Sequence, residues 1–336
     1  MRPNYANAKL KVPIGLVGLA GLTATVLGGL SARFYLGRRR AEQMWTASRY
    51  LKFGEFGSVK RLAILPLIDW YTASDDLVGE AGVSYLIRAD GTNILFDLGL
   101  NRHGEHPSPL LRNMAALGVN MAEVNMLVIS HPHGDHMGGM LNQVRHTFAP
   151  SSRLVDLRGM PAYVPAPLVN STARVIVVDG PRVLAPGIAT MGPIAQQDFF
   201  MGWTPEQSLA IYVKDKGLVL VVGCGHPTIQ RIVARARMLF DEPIYGIVGG
   251  LHFPVTASRI VELGLPMQRV LGTGKWPWDP INREDVQAAI AQLQRQHPRL
   301  VALSPHDSCD WSLGALREAF HDGCQEIVVG REIVVQ

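Results

Sequence analysis

Beyond residue 60 the hydrophobic positions fall into short runs rich in β-branched and aliphatic residues, separated by polar turns. The runs predict strands at Leu62–Trp70, Val83–Arg88, Asn93–Leu98, Met126–Ser130, Arg174–Val178, Ser208–Val213, Leu218–Gly223, Ile244–Val248 and Leu300–Ser304. Other segments repeat on the helical period. Ile229, Ile232, Val233, Ala236, Leu239 and Phe240 share one face and predict a helix over Pro227–Phe240. Pro227 suits its first turn, where a missing N–H is no loss. Asn282 is placed to cap a second helix over Arg283–Gln296, with Ile281 and Val286 as a staple and Pro298 after its end. A last helix near Trp311–His321 precedes two short strands, Glu326–Val329 and Glu332–Val335. Strands that feed helices predict an α/β body with covered sheets.

The first 58 residues read differently. Val12–Leu30 is 19 residues without a charge, bounded by Lys9 and Lys11 before it and by Arg33, Arg38, Arg39 and Arg40 after it. A helix needs about 20 apolar residues to cross a bilayer. The expectation is an N-terminal tail and transmembrane anchor over 1–34, a juxtamembrane linker over 35–58, and the α/β body over 59–336. A cleaved signal peptide is the competing reading. The apolar run is long for one, and Arg38–Arg40 stand where a small-residue cleavage site is expected. The richer positive flank lies on the C-terminal side, so the positive-inside rule places the body of this single-pass protein in the cytoplasm; the opposite orientation stays open.

Composition narrows the partners. Apolar residues make up 47% of the 336 and charged residues 18%, which excludes a disordered chain. Cys224, Cys309 and Cys324 are too few and scattered for a disulfide framework. The net charge of +4 is uneven: residues 1–52 hold nine Lys/Arg and one acidic residue, Glu42, out of totals of 32 and 28. The rest carries 23 basic and 27 acidic residues. A mildly acidic body is a poor match for nucleic acid. The expected partners are a small-molecule substrate and, through the N-terminal helix, a membrane.

Met126–Ser130 runs directly into His131-Pro132-His133-Gly134-Asp135-His136. Three imidazoles and a carboxylate within six residues would be unsatisfied polar groups if buried without a metal. As a set they suit zinc, iron or manganese. In an extended segment His131 and His133 project to the same side, while Asp135 and His136 at the following turn can point to a second ion. Three more histidines follow strands: His226 in Gly223-Cys224-Gly225-His226, His252 in Gly249-Gly250-Leu251-His252, and His306 in Ser304-Pro305-His306-Asp307. Each is a candidate ligand or substrate contact.

The HxHxDH stretch resembles the signature of the metallo-β-lactamase superfamily, and Asn93–Gly99 resembles that family's strand ending in Asp-x-Gly. The Gly-Cys-x-His, Gly-Gly-x-His and late-histidine set resembles the branch of dihydropterin ribofuranosylaminobenzene phosphate synthase-like proteins. The resemblance spans roughly residues 60–310. It implies an αββα sandwich with a two-metal site at one edge, held by His131, His133, Asp135, His136, His226 and His306, with Asp97 orienting ligands from behind. Two departures leave the second site open. Cys224 stands where most members have an aspartate, so it is either a thiolate ligand or a small buried residue beside His226. The ligand histidine usual near residue 163 is absent, so either His226 or His252 replaces it or the second metal is weakly held.

The chemistry implied is hydrolysis of an ester, lactone or phosphoester by a metal-activated water, with zinc first and manganese or iron next, and with Asp135 as the catalytic proton acceptor. The alternatives are a pterin-related synthase of the same fold and a non-catalytic metal-binding sensor. Two loops are placed to line a pocket: 196–206 with Phe199, Phe200 and Trp203, and 272–280 with Lys275, Trp276 and Trp278.

Overall fold

The computed structural model describes residues 14–272 and 274–336. After the helix α1 (Ile14–Ala47), the chain lays down β1 (Leu62–Ile68), β2 (Ser84–Ala89), β3 (Thr92–Phe96), α2 (Pro109–Ala116), β4 (Met126–Val128), α3 (Met140–Arg145), β5 (Pro161–Val164) and β6 (Arg174–Val177). The second half holds β7 (Arg182–Ala185), β8 (Ile188–Thr190), a hairpin of β9 (Ile194–Asp198) and β10 (Gly202–Glu206), β11 (Leu209–Val213), β12 (Gly217–Val222), α4 (Ile229–Leu239) and β13 (Ile244–Gly249). A small ribbon, β14 (Val261–Glu262) and β15 (Leu265–Pro266), leads into α5 (Met267–Val270), α6 (Arg283–Gln294), β16 (Leu300–Leu303), α7 (Asp310–Phe320) and β17 (Ile333–Val335). One sheet has the order β17-β1-β2-β3-β4-β5-β6 and the other β16-β13-β12-β11-β8-β7.

The strands are apolar on both faces, as strands covered on both sides must be. Ile64, Tyr85, Ile87 and Phe96 from the first sheet meet Ile211, Val219, Val221 and Val248 from the second in a shared inner core. On the outside of the first sheet Leu65, Leu67 and Leu95 pack with Leu110 and Met114 of α2. On the outside of the second sheet Leu220 and Ile247 pack with Ile232 and Val233 of α4, Ile290 of α6 and Leu316 of α7. This is the expected αββα sandwich. Asn282 caps α6 with a full capping box to Asp285. The tail departs from expectation: Glu326–Val329 makes only an isolated bridge, Thr72 with Val329, and just Ile333–Val335 joins the sheet beside β1.

Register places the site. β3 and β4 run parallel, as do β12, β13 and β16. Parallel neighbours end at the same edge of a sheet, so every segment that follows them is delivered to one rim. Those segments are Asp97, the HxHxDH loop, Cys224–His226, His252 and His306. Close packing is enforced at Gly249, where φ is +126° and a Cβ would stand 1.9 Å from the carbonyl oxygen of Val222.

The membrane anchor is corrected. Among the described residues no helix is long and apolar enough to cross a membrane. The tail 1–13 lies outside the described residues, as do the side chains of 14–24, so the Val12–Leu30 run is described in full only from residue 25 on. The helix does not stop at Leu30: α1 continues through Arg33 and Arg38–Arg40 to Ala47 and lies on the body. Phe34 is fully buried, edge-on to Phe199 and Trp276 at centroid distances of 5.4 and 4.6 Å. Arg33 donates to the carbonyl oxygens of Phe199 and Phe200 at 2.8 and 3.0 Å. Arg40 covers Trp203, and Gly37 sits so close to Gln197 that a side chain would collide. Arg33 and Arg40, read as part of a membrane flank, are therefore docking groups for the β9–β10 hairpin. Residues 35–47 of the segment expected as a linker are helical.

Candidate metal centre

The rim gathers the predicted donors into two adjoining groups. His131, His133 and His226 form the first; Asp135, His136, Cys224 and His306 form the second; all are buried except Asp135, which is partly exposed. In the first, His131 and His226 present their Nε2 atoms to each other at 3.2 Å. In the second, Cys224 Sγ lies 3.1 Å from His136 Nε2 and 3.2 Å from His306 Nε2, and Asp135 Oδ2 lies 3.5 Å from His136 Nε2. Two nitrogens bound to one tetrahedral zinc at about 2.0–2.1 Å stand roughly 3.4 Å apart, so the first spacing is that of ligands sharing an ion.

Each ring is fixed from behind. His131 Nδ1 lies 2.9 Å from Ser130 Oγ, and Ser130 Oγ donates to Asp97 Oδ2 at 2.6 Å. His136 Nδ1 is 2.7 Å from the same Asp97 oxygen. His306 Nδ1 is 2.6 Å from Ser304 Oγ, which donates to buried Asp69 at 2.6 Å. His226 Nδ1 is 2.7 Å from the carbonyl oxygen of Gly272. His133 is held through Nε2 instead, 3.2 Å from Thr204 Oγ1, which donates to Asp198 at 2.8 Å. With one nitrogen occupied in this way, the other keeps a lone pair directed at the cluster, the arrangement that backs metal-binding histidines. Asp97 is thus where the sequence placed it.

Protonation fits the same assignment. Burial, reinforced by neighbouring imidazoles, holds His131, His133 and His306 well below the ordinary histidine value. Burial likewise brings His226 and His252 to about 4. A neutral ring is the form that ligates. His136 is the exception: burial alone would lower it, but Asp135 and Asp97 on either side outweigh that and raise it. Burial pushes the Cys224 thiol up, followed by Asp307 and Asp135. Without a cation it stays protonated, and a divalent ion is what would make it a thiolate. The donor set, softer by one sulfur than carboxylate and imidazole alone, fits a divalent transition metal.

The alternatives at Cys224 and His226 stay open in space: His226 lies with His131 and His133, and Cys224 with Asp135, His136 and His306, yet the two also share a group with His252. Tyr163, at the position of the missing histidine, lies on β5 beside Val128 and points no imidazole at the rim. His252 stands apart from both sets, its ring 5.2 Å from that of His226, its Nε2 2.9 Å from the carbonyl oxygen of Gln268 and its Nδ1 without a hydrogen-bond partner. It forms a third possible donor group with Cys224 and His226.

Several supporting residues escaped the sequence reading. Glu206 accepts backbone N–H bonds from Cys224, Gly225 and His226 at 3.2, 2.8 and 2.8 Å, fixing the Gly-Cys-Gly-His turn. Burial raises its carboxyl to about 7 despite those bonds. Asp307 accepts from the His252 N–H at 2.8 Å. Asp69, Asp198, Thr204 and Ser304 complete the list. Asp69 and Ser304 each sit at a strand end, and Asp307 follows His306, which were the available signals. The two aromatic loops do meet, but mainly as packing: Phe199 lies 5.8 Å from Trp276, which stacks on Trp278 at 4.8 Å, with Phe34 of α1 against both Phe199 and Trp276. Thr273, in the second loop, lies outside the described residues.

Comparison with known proteins decides the lineage. Residues 77–184, which contain the HxHxDH loop, match the family described as the metallo-beta-lactamase superfamily. The segment that carries the HxHxDH loop is thus similar to the metallo-β-lactamase superfamily. The match ends before Cys224, so the rest of the rim rests on other relatives. A curated protein of Methanocaldococcus jannaschii, 7,8-dihydropterin-6-methyl-4-(beta-D-ribofuranosyl)-aminobenzene-5'-phosphate synthase, is 26% identical over 253 residues, covering 61% of this chain and 84% of the relative. This similarity supports the branch indicated by the Gly-Cys-x-His and Gly-Gly-x-His motifs. Among solved structures, a metal-dependent hydrolase of the β-lactamase superfamily superposes with a TM-score of 0.56 at 17% identity, covering 81% of this chain and 98% of that one. At that identity the likeness speaks for the fold of a metallo-β-lactamase and not for its reaction.

Proposed function

We propose that this metallo-β-lactamase-fold chain is a metal-dependent enzyme that joins two molecules, in the chemical class of the pterin-related synthase it is similar to. The supporting observation is that two cavities meet at the metal centre. One, of 290 Å³, is largely apolar, walled by Leu100, Met140, Met201, Ile260, Met267 and Leu271 over His133, Asp135 and Cys224. The other, of 480 Å³, is more polar and lies on the far side of His226. His226, His252 and Gly272 line both. Cleavage of one substrate by water needs a single room beside the metals; a condensation needs two that open on the same point. Methionine sulfur packs well against aromatic rings, which suits an arylamine on the apolar side.

Two divalent ions, zinc first, are assigned to His131–His133–His226 and to Asp135–His136–Cys224–His306. Bound there, they would polarise the electrophile and neutralise charge developing on the leaving group. The chain's own contribution is the preset ring orientation, exclusion of water by the methionine-lined wall, and proton transfer. Asp135 lines the apolar cavity. Burial would raise its carboxyl, but His136 and the other imidazoles outweigh that and keep it ionised. It is placed to accept the proton an attacking amine must lose.

That same half-open carboxylate favours hydrolysis as a second reading, since it would equally accept a proton from water. One experiment separates them. The zinc- or manganese-loaded protein is incubated with a 7,8-dihydropterin carrying a leaving group on its 6-methyl carbon and with ribofuranosylaminobenzene 5'-phosphate. The expected result is a coupled product, seen by mass, that needs both partners. Turnover of single esters, lactones or phosphoesters with no coupling would give the hydrolytic reading instead.

A further inference from the structure

The polar cavity is not built by the αββα body alone. Arg38 and Glu42 of α1 form part of its wall, opposite Lys275 and Asp285 and beside Arg231 near the start of α4. Glu42 pairs with Arg231, and Asp285 pairs with Lys275 at 2.7 Å while also capping α6. Each carboxylate in the cavity is thus already matched by a cation. Arg38 is the surplus: among the described residues it has no acidic partner and only lies 5.5 Å from the centre of the Phe34 ring. Thr228 to Arg231 line the same space, and no side chain caps the first turn of α4, so its N–H groups are open to a ligand. His252, 8% exposed, lines it too, with Nδ1 unpartnered.

We propose that helix α1 completes this cavity in cis as a subsite for a compact oxyanion, a phosphate or phosphate ester, held by Arg38 with Arg231 and Lys275 in support. Three cations from three separate elements converge on a cavity that contains two carboxylates, and guanidinium groups suit the bidentate recognition of phosphate. The anchoring of α1 by Phe34 and Arg33 fixes Arg38 in the wall of the cavity that His226 and His252 also line. Glu42 acts as an internal competitor: an entering oxyanion takes over Arg231 from it.

This deepens the coupling reading by locating the phosphate of a substrate, and it rests on that reading only for which cavity faces the reaction. The test uses the metal-loaded full chain and phenyl phosphate, with benzyl alcohol as the uncharged control, followed by calorimetric titration. Phenyl phosphate is expected to bind and the alcohol not. Arg38→Ala is expected to weaken binding by about tenfold, the scale of one charge-assisted hydrogen bond, with Arg38→Lys recovering part of it. Glu42→Gln is expected to tighten binding severalfold, because it frees Arg231. Unchanged binding in both variants would mean that the anion sits on the metals alone, and equal weakening in both would mean only that the helix has shifted; either overturns the subsite. Arg38-dependent binding without any coupled product would sink the reaction and leave the subsite standing. Coupling with an unaltered KM for the phosphorylated amine in Arg38→Ala would do the reverse.

Discussion

The two donor groups of the rim are built by opposite means. His131, His133 and His226 are three neutral rings, backed by a serine, a threonine and a backbone carbonyl, with carboxylates one step further away. Asp135, His136, Cys224 and His306 bring a carboxylate and a thiol into the cluster itself, and His136 touches Asp97 directly. The first group is ready for a cation as it stands. The second must lose a proton from the Cys224 sulfur and another from the His136 ring as the cation arrives. On the two-ion proposal, the contrast gives two sites of unequal affinity and unequal metal preference, with proton release belonging to the second.

The largest expected effect tests whether the first site stands alone. His131→Ala combined with His133→Ala is expected to lower the metal content from about two ions per chain to about one, measured by elemental analysis, and to abolish turnover. A protein that holds no metal even after reconstitution with zinc, manganese or iron would refute both sites together. Next comes the catalytic role of the second group. Asp135→Asn keeps the shape but removes the basic oxygen, so kcat is expected to fall about 100-fold or more while the melting temperature holds. Near-normal turnover would remove Asp135 from the proton transfer in either reaction. Smaller again is the influence of the supporting groups. Ser304→Ala takes the buried link between His306 and Asp69 and is expected to weaken metal affinity about 10- to 100-fold, chiefly at the second site. Competition with a chelator reads this, and an equal loss at both sites would deny the distinction between them.

The difference between the groups also governs what could be read in advance. The HxHxDH loop is local: four chemical groups follow one strand, and the periodicity of an extended segment already sends His131 and His133 the same way. Most sheet strands were legible for the same reason, being apolar runs bounded by turns, whereas β5, β7, β8 and the β9–β10 hairpin were not. Which distant side chain completes which site was not legible. Cys224 and His226 are two residues apart yet face different histidines of the HxHxDH loop, and that depends on how the rims of the two sheets meet. The supporting acids were harder still. Glu206 acts on a turn 18 residues later in sequence, with no local signature, and Asp69 reaches Ser304 across 235 residues, marked only by its place at a strand end. The N-terminal helix misled because an uncharged run bounded by arginines looks the same whether the arginines face lipid headgroups or backbone carbonyls. Phe34 separates the cases, and its burial depends on Phe199 and Trp276, both far along the chain.

The burial of Phe34 has a practical consequence for handling the molecule. A fragment trimmed to residues 59–336, the limits suggested by the strand pattern, would lose the ring that covers Phe199 and Trp276. Those side chains would then form an oily patch beside Trp278, already 68% exposed. Patches of that kind promote self-association. Such a fragment is expected to elute as oligomers in size-exclusion chromatography, whereas one beginning near residue 31, with the docking half of α1 retained, is expected to elute as a smaller species.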